Sequence, residues 1–130
     1  MLAKRYYREP DSDRFTGLSD RLREIATASL SYAEFFSGLN RKLRLQEIEV
    51  SRYEEAAEEF ERDWVHFSVL PLSAQILRRA RQVIERHALR AGDAIQLASA
   101  LSLAASLPTE FASADERLNQ AARREGLTVL

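Results

Sequence analysis

The sequence contains no cysteine and only two histidines, His66 and His87. The absence of cysteine excludes disulfides, thiol nucleophiles, iron–sulfur ligation and the cysteine-based zinc modules. Two scattered histidines are too few for an imidazole zinc site, so we interpret both as packed structural side chains. Any metal ion would therefore have to be bound by oxygen ligands.

Long hydrophobic runs are also missing. The longest uncharged stretch, residues 94–109, is shorter than the ~18 apolar residues of a membrane span and contains Pro108. The N-terminus lacks the apolar run that a signal peptide needs. We therefore expect no membrane association and a location in the reducing cytoplasm.

The length and composition of the chain are typical of one globular domain. The chain has 130 residues, of which 45% are hydrophobic and 30% charged, and its net charge is −1. Residues 1–130 are therefore expected to form a single domain. Bulk positive charge, the usual feature of nucleic-acid-binding domains, is absent. Arginine nevertheless supplies 17 of the 19 positive residues, which weakly favours recognition of phosphate or carboxylate.

Hydrophobic periodicity predicts strands that alternate with helices. We expect strands at 25–30, 65–72, 110–113 and 127–130. Helices are expected at 2–8, through Phe15 to Ile25, from Tyr32, over 52–63, from Ser73 to His87, after Gly92, and from Asp115 to Arg124. A turn is expected at 9–13. Leu77, Ala80, Ile84 and His87 should form the inner face of the helix that Ser73 caps. This order predicts an α/β domain with a mostly parallel sheet.

Three acidic residues follow or open these elements where a strand gives way to a helix: Glu34, Asp93 and Asp115. Each also has an ordinary explanation. Ser31 with Glu34, and Ser113 with Glu116, match a helix capping box, and Asp93 could be an N-cap. The second capping box uses Glu116 as its acid and gives Asp115 no part in it. Asp115 is therefore harder to explain as a structural residue. Functional groups of open α/β sheets gather at such strand ends, so the acids could converge to bind Mg²⁺ or Mn²⁺.

At these residues the chain resembles a PIN domain, specifically the VapC-type toxin ribonucleases. Residues 87–98, HALRAGDAIQLA, are similar to the family segment that carries its third acidic ligand, here Asp93. Residues 111–127 resemble its C-terminal pattern, with Asp115 as an acid and Ser113 in place of the usual threonine as a supporting residue. Residues 25–34 look like the strand and helix start that supply Glu34. The resemblance implies a three-layer fold with a central sheet flanked by helices.

One feature departs from the family pattern. Members begin with a hydrophobic strand that ends in Asp-x-Ser or Asp-x-Thr, whose aspartate is the first metal ligand. Residues 1–7 instead look like the helix that follows this strand, so we expect the first strand and its aspartate to be missing. Either the recorded chain starts late or it is a degenerate copy. Glu9, Asp11 and Asp13 are interpreted as a solvated loop rather than as replacement ligands.

The resemblance leads to two functional hypotheses. The first is a metal-dependent endoribonuclease, the toxin of a type II toxin–antitoxin pair, with Glu34, Asp93 and Asp115 as catalytic metal ligands for Mg²⁺ or Mn²⁺. RNA would be its substrate, a VapB-like antitoxin its partner, and a homodimer its assembly. Arg79, Arg86 and Arg90 share one side of a helix and its extension, and could contact RNA or antitoxin. The alternative is a non-catalytic PIN-like remnant that binds antitoxin or RNA but lacks the first ligand.

Overall fold

The structure, a computed structural model, describes residues 25–130, which fall into two compact units. Ser31–Val69 belong to one unit, and Thr27–Leu30 with Leu70–Leu130 form the other. We call them the first and the second unit. The expected helices at 2–8 and from Phe15, the turn at 9–13 and the missing first strand lie outside the described residues. That one domain spans residues 1–130 stays a prediction.

The first unit is built on two helices, α1 (Leu30–Arg44) and α2 (Val50–Trp64). Its core is aromatic, because Phe35 of α1 and Phe60 of α2 stack with ring centroids 3.9 Å apart. Leu39 and Ala56 complete the fully buried positions. Each helix therefore buries residues four positions apart, which is the amphipathic spacing that the sequence predicted.

In the second unit, α3 (Ala74–His87), α4 (Ala91–Ala104) and α5 (Glu116–Arg124) share one hydrophobic core. Ser73 caps α3 as expected, because its hydroxyl accepts a hydrogen bond from the backbone N–H of Ile76 at 3.1 Å. Helix α4 supplies three of its fully buried residues, Ala94, Leu97 and Ala98. These contacts hold the N-termini of α4 and α5 in a fixed place within the unit.

The expected inner face of α3 is confirmed at Ala80 and His87 and is wrong at Leu77 and Ile84. Ile76, Ala80 and Val83 are the buried positions, whereas Leu77 keeps 49% and Ile84 keeps 36% of its accessible surface. Ile76 and Val83 are spaced like Leu77 and Ile84, and both pairs flank Ala80. Periodicity alone therefore could not choose between two overlapping apolar faces.

Strands appear where the sequence predicted them, but they are shorter. β1 (Ala26–Ala28) pairs with β2 (Ser68–Leu70), and β3 (Glu110–Phe111) pairs in parallel with β4 (Thr128–Val129). In the second pair Glu110 lies opposite Thr128, and Phe111 opposite Val129. Helix α5 thus joins two parallel strands, which is a β–α–β connection. Residues 25–130 show an α/β fold with two small sheets.

No helix in this part of the chain is long and apolar enough to span a lipid bilayer.

Candidate functional site

Two of the three acids, Asp93 and Asp115, belong to the second unit and stand at neighbouring helix starts. Burial raises the pKa of Asp93, and the negative charge of Asp115 raises it further. Arg90 and Arg117 oppose this shift with their positive charges. The fold therefore brings these two carboxylates within electrostatic reach of each other, with two guanidinium groups beside them.

Asp93 does not cap its helix. Arg90 is the N-cap of α4, and Asp93 is the third residue of the helix, which begins at Ala91. The expected N-cap role of Asp93 is therefore wrong. A half-buried carboxylate with a raised pKa is under-compensated by its surroundings, and such groups gather at functional sites.

Asp115, in contrast, does have a structural role. It is the N-cap of α5, and its Oδ1 accepts hydrogen bonds from the backbone N–H groups of Arg117 at 2.9 Å and Leu118 at 3.4 Å. The expected capping box of Ser113 and Glu116 is wrong, because the helix starts after Asp115. Both hydrogen bonds end on Oδ1, so they hold the carboxylate in one orientation and leave Oδ2 for another ligand.

Ser113, the expected supporting residue, contacts Asp115 directly. Its side chain is buried, and its hydroxyl accepts a hydrogen bond from the backbone N–H of Asp115 at 3.0 Å. Asn119, which the sequence reasoning missed, donates from Nδ2 to the backbone carbonyl of Ser113 at 3.0 Å. A polar residue on the buried face of α5, one turn beyond Asp115, is the signal that could have identified it.

Glu34 lies in the first unit, on an exposed position of α1. That helix begins at Leu30, one residue before Ser31, and the capping box of Ser31 and Glu34 stays a prediction. The role of Glu34 as a third ligand stays a prediction. Within residues 25–130, no group of three or more histidine and acidic side chains is close enough to hold a metal ion.

The three arginines proposed as contacts have different surroundings. Glu125 accepts two hydrogen bonds from Arg86, each 2.8 Å long, so this guanidinium is occupied. Arg90 occupies the N-cap position of α4 near Asp93 without a capping hydrogen bond from its side chain, and Arg79 is half-buried on α3. Their contact with RNA or antitoxin stays a prediction.

His87, for which the sequence suggested no acidic neighbour, lies next to the carboxylate of Glu125. His87 Nε2 lies 2.6 Å from Glu125 Oε2, and both side chains are largely buried. The Arg86 guanidinium lowers the pKa of Glu125, although burial opposes the shift. This cluster joins the C-terminal ends of α3 and α5 and is a structural feature of the second unit.

The carboxylate pair fits a hard divalent cation. Asp93 is partly withdrawn from water beside another carboxylate, and a bound cation would compensate both charges. Carboxylate oxygens are the ligands that Mg²⁺ and Mn²⁺ prefer in proteins. If the pair held such an ion, it would provide only part of the coordination shell, and a substrate phosphate or water would have to supply further oxygens.

The sequence profile of the PIN domain matches residues 3–124, which is nearly the whole chain. No curated protein matches the sequence.

Proposed function

The chain belongs to the PIN domain family, whose members are generally metal-dependent nucleases, and on that premise we propose that it is an endoribonuclease that uses Mg²⁺ or Mn²⁺. The observation that carries this proposal is the placement of Asp93 in the first turn of α4 and of Asp115 at the N-cap of α5, near enough for their negative charges to interact. Neither the packing of the core nor the capping of α5 requires Asp93 and Asp115 to lie within electrostatic reach of each other. Their repulsion is a cost that cation binding would remove.

Asp93 and Asp115 are the residues that would bind the cation. When bound, the ion would activate a water molecule and neutralise charge on the phosphodiester. Asp115 is oriented by the backbone N–H groups of α5, so little rearrangement is needed to present Oδ2. Arg90 and Arg117 are exposed and lie near Asp93, where they could attract the phosphate backbone of RNA.

The test is cleavage of a fluorescent RNA by the full chain with Mg²⁺ or Mn²⁺. Asp93→Asn and Asp115→Asn should each lower the rate by about 100-fold or more, because each removes a metal ligand. Glu116→Gln is the matched control, since it removes one charge next to Asp115 and breaks an exposed ion pair with Arg123. Metal-dependent cleavage that survives Asp93→Asn would contradict the proposed site.

Glu34 is proposed as a third ligand. Its position in the family-like segment supports this role, and Glu34→Gln in the same cleavage assay tests it. Unchanged cleavage by that variant would remove Glu34 from the site. It would leave the pair of aspartates in place.

The alternative is a PIN-like protein that binds RNA or an antitoxin without cleaving. Its support is that carboxylates of the described residues form a pair rather than a group of three. Titration of the full chain with Mn²⁺ in a calorimeter distinguishes the two functions. Absence of Mn²⁺ binding together with retained RNA binding would favour the alternative, whereas metal-dependent cleavage would exclude it.

The finer assignments rest on the resemblance: VapC type, a toxin role, a VapB-like antitoxin, a homodimer, a central sheet in three layers and a cytoplasmic location. One surface of α3 supports the proposal that an antitoxin binds this protein. Leu77 and Ile84 of α3 are exposed beside Arg78 and Arg81, and this mixture suits an acidic amphipathic peptide. Light scattering on the purified chain would determine whether it is a dimer.

A further inference from the structure

Asn119 is the most deeply buried polar side chain that contacts the loop before α5. It keeps only 3% of its accessible surface. Its Nδ2 donates to Ser113, but its Oδ1 is buried without a hydrogen-bond partner among the described residues. A buried acceptor without a partner costs free energy, so a leucine of similar size would suit the core better. Core packing therefore does not account for this asparagine.

The hydrogen bonds of Asn119 join it to Ser113 and to Asp115. The side chain binds the Ser113 carbonyl, and the backbone N–H of Asn119 donates to the Asp115 carbonyl at 3.0 Å. Ser113 in turn accepts from the backbone N–H of Asp115. These bonds close a ring that runs from α5 through the loop and back to its N-cap. The ring restricts the backbone of Asp115, from which its carboxylate extends.

We propose that Asn119 is a positioning residue that holds the Ser113–Asp115 loop in the geometry in which Asp115 binds a divalent cation. The proposal rests on the proposed function for the cation, but the fixing of the loop can be measured without it. Residues that orient a metal ligand affect metal affinity even though they do not touch the ion.

The first measurement is amide hydrogen exchange in the metal-free full chain. Asn119→Leu and Asn119→Ala should speed exchange at the Asp115 amide about 10-fold or more relative to the core amides of α4, because the ring opens. Leucine removes the unpaired acceptor and fills the space, while alanine avoids overpacking if leucine prevents folding. Unchanged exchange at Asp115 in a folded variant would overturn the proposal.

The second measurement is Mn²⁺ affinity by calorimetry. Both Asn119 variants should bind Mn²⁺ about 10 to 100-fold more weakly, as expected for loss of a residue that orients a ligand. Val83→Ala is the control, because it destabilises the same core without touching the loop. It should keep both the Asp115 exchange rate and the Mn²⁺ affinity. An equal loss of affinity in Val83→Ala would overturn the positioning role.

These outcomes separate the two proposals. If the wild-type chain binds no Mn²⁺ while Asn119→Leu still speeds exchange at Asp115, the metal site is wrong and the fixing of the loop stands. If the wild type binds Mn²⁺ and Asn119→Leu binds it equally well, the positioning role is wrong and the metal site stands.

Discussion

At the scale of single residues, Asp115 has two separable functions. Its Oδ1 caps α5, and its charge raises the pKa of Asp93. The sequence located Asp115 at a helix start but assigned the cap to Ser113. The difference of two residues depends on backbone dihedral angles, which residue type does not determine. Asn119 was missed for a similar reason, because its role depends on which face of α5 is buried.

The two functions of Asp115 predict different effects of alanine and asparagine. Asp115→Ala should lower the free energy of unfolding by about 1 kcal/mol, because alanine cannot cap the helix. Asp115→Asn should change it by less than about 0.5 kcal/mol, since asparagine caps as well as aspartate does. Urea unfolding measures both. Equal destabilisation by the two variants would mean that the charge, rather than the cap, stabilises this helix start.

At the scale of elements, Glu125 connects the C-terminal end of α5 to the C-terminal end of α3 through its contacts with Arg86 and His87. Glu125 is the C-cap of α5, and Gly126 follows with a φ of +94°, which glycine adopts without strain. The backbone N–H of Leu127 donates to Ala122, and that of Gly126 donates to Arg123, as in a Schellman motif. The sequence predicted this helix end from its glycine. It could not predict the contact with α3, which joins residues 39 positions apart.

The ion pairs of Glu125 predict a stability that depends on pH. Because Arg86 lowers the pKa of Glu125, the contribution is full above the ordinary pKa of 4.5 and is lost as the pH falls through the lowered value. Glu125→Gln should therefore cost about 1 kcal/mol at pH 7 and less at pH 3, where the carboxylate has begun to take up its proton. Unfolding at both pH values measures this difference.

Glu85→Gln is the matched control for this experiment. It breaks the exposed bond between Arg81 and Glu85, which is screened by water, so its effect should be small at either pH. A loss in Glu125→Gln that stays the same at pH 3 would show that the contribution comes from packing instead of charge.

At the scale of the whole molecule, charge is sorted between helices. Most exposed acids of the first unit lie on α2, whereas α3 carries four arginines and one glutamate. The sequence predicted this sorting and the α/β class, because both follow from residue order alone. The extent of the sheets could not be predicted. Strands of two or three residues give too short an alternation to show where pairing stops.

This sorting predicts which arginines contribute to RNA binding. Arg79→Gln and Arg90→Gln should each reduce the slope of log affinity against log salt by about 0.7, the value for one phosphate contact on a single strand. Arg86→Gln should leave the slope unchanged and lower stability instead, because Glu125 occupies its guanidinium. Fluorescence anisotropy with EDTA, between about 50 and 200 mM salt, measures the slopes without cleavage.

Arg52→Gln on the acidic helix α2 is the control for this series. Arg52 pairs with Glu55 and Glu59, so its loss should not change the salt slope. A slope that falls equally in Arg52→Gln and Arg79→Gln would mean that RNA senses only the net charge of the chain.

The unfavourable charge on Asp93 has a consequence for protein engineering. At neutral pH the folded chain would gain stability if this position were uncharged, because burial and Asp115 both disfavour the ionised form. A screen that selects variants only for thermal tolerance would therefore enrich Asp93→Asn and discard the proposed activity in the same step. Stabilised versions of this protein should be sought with position 93 held constant.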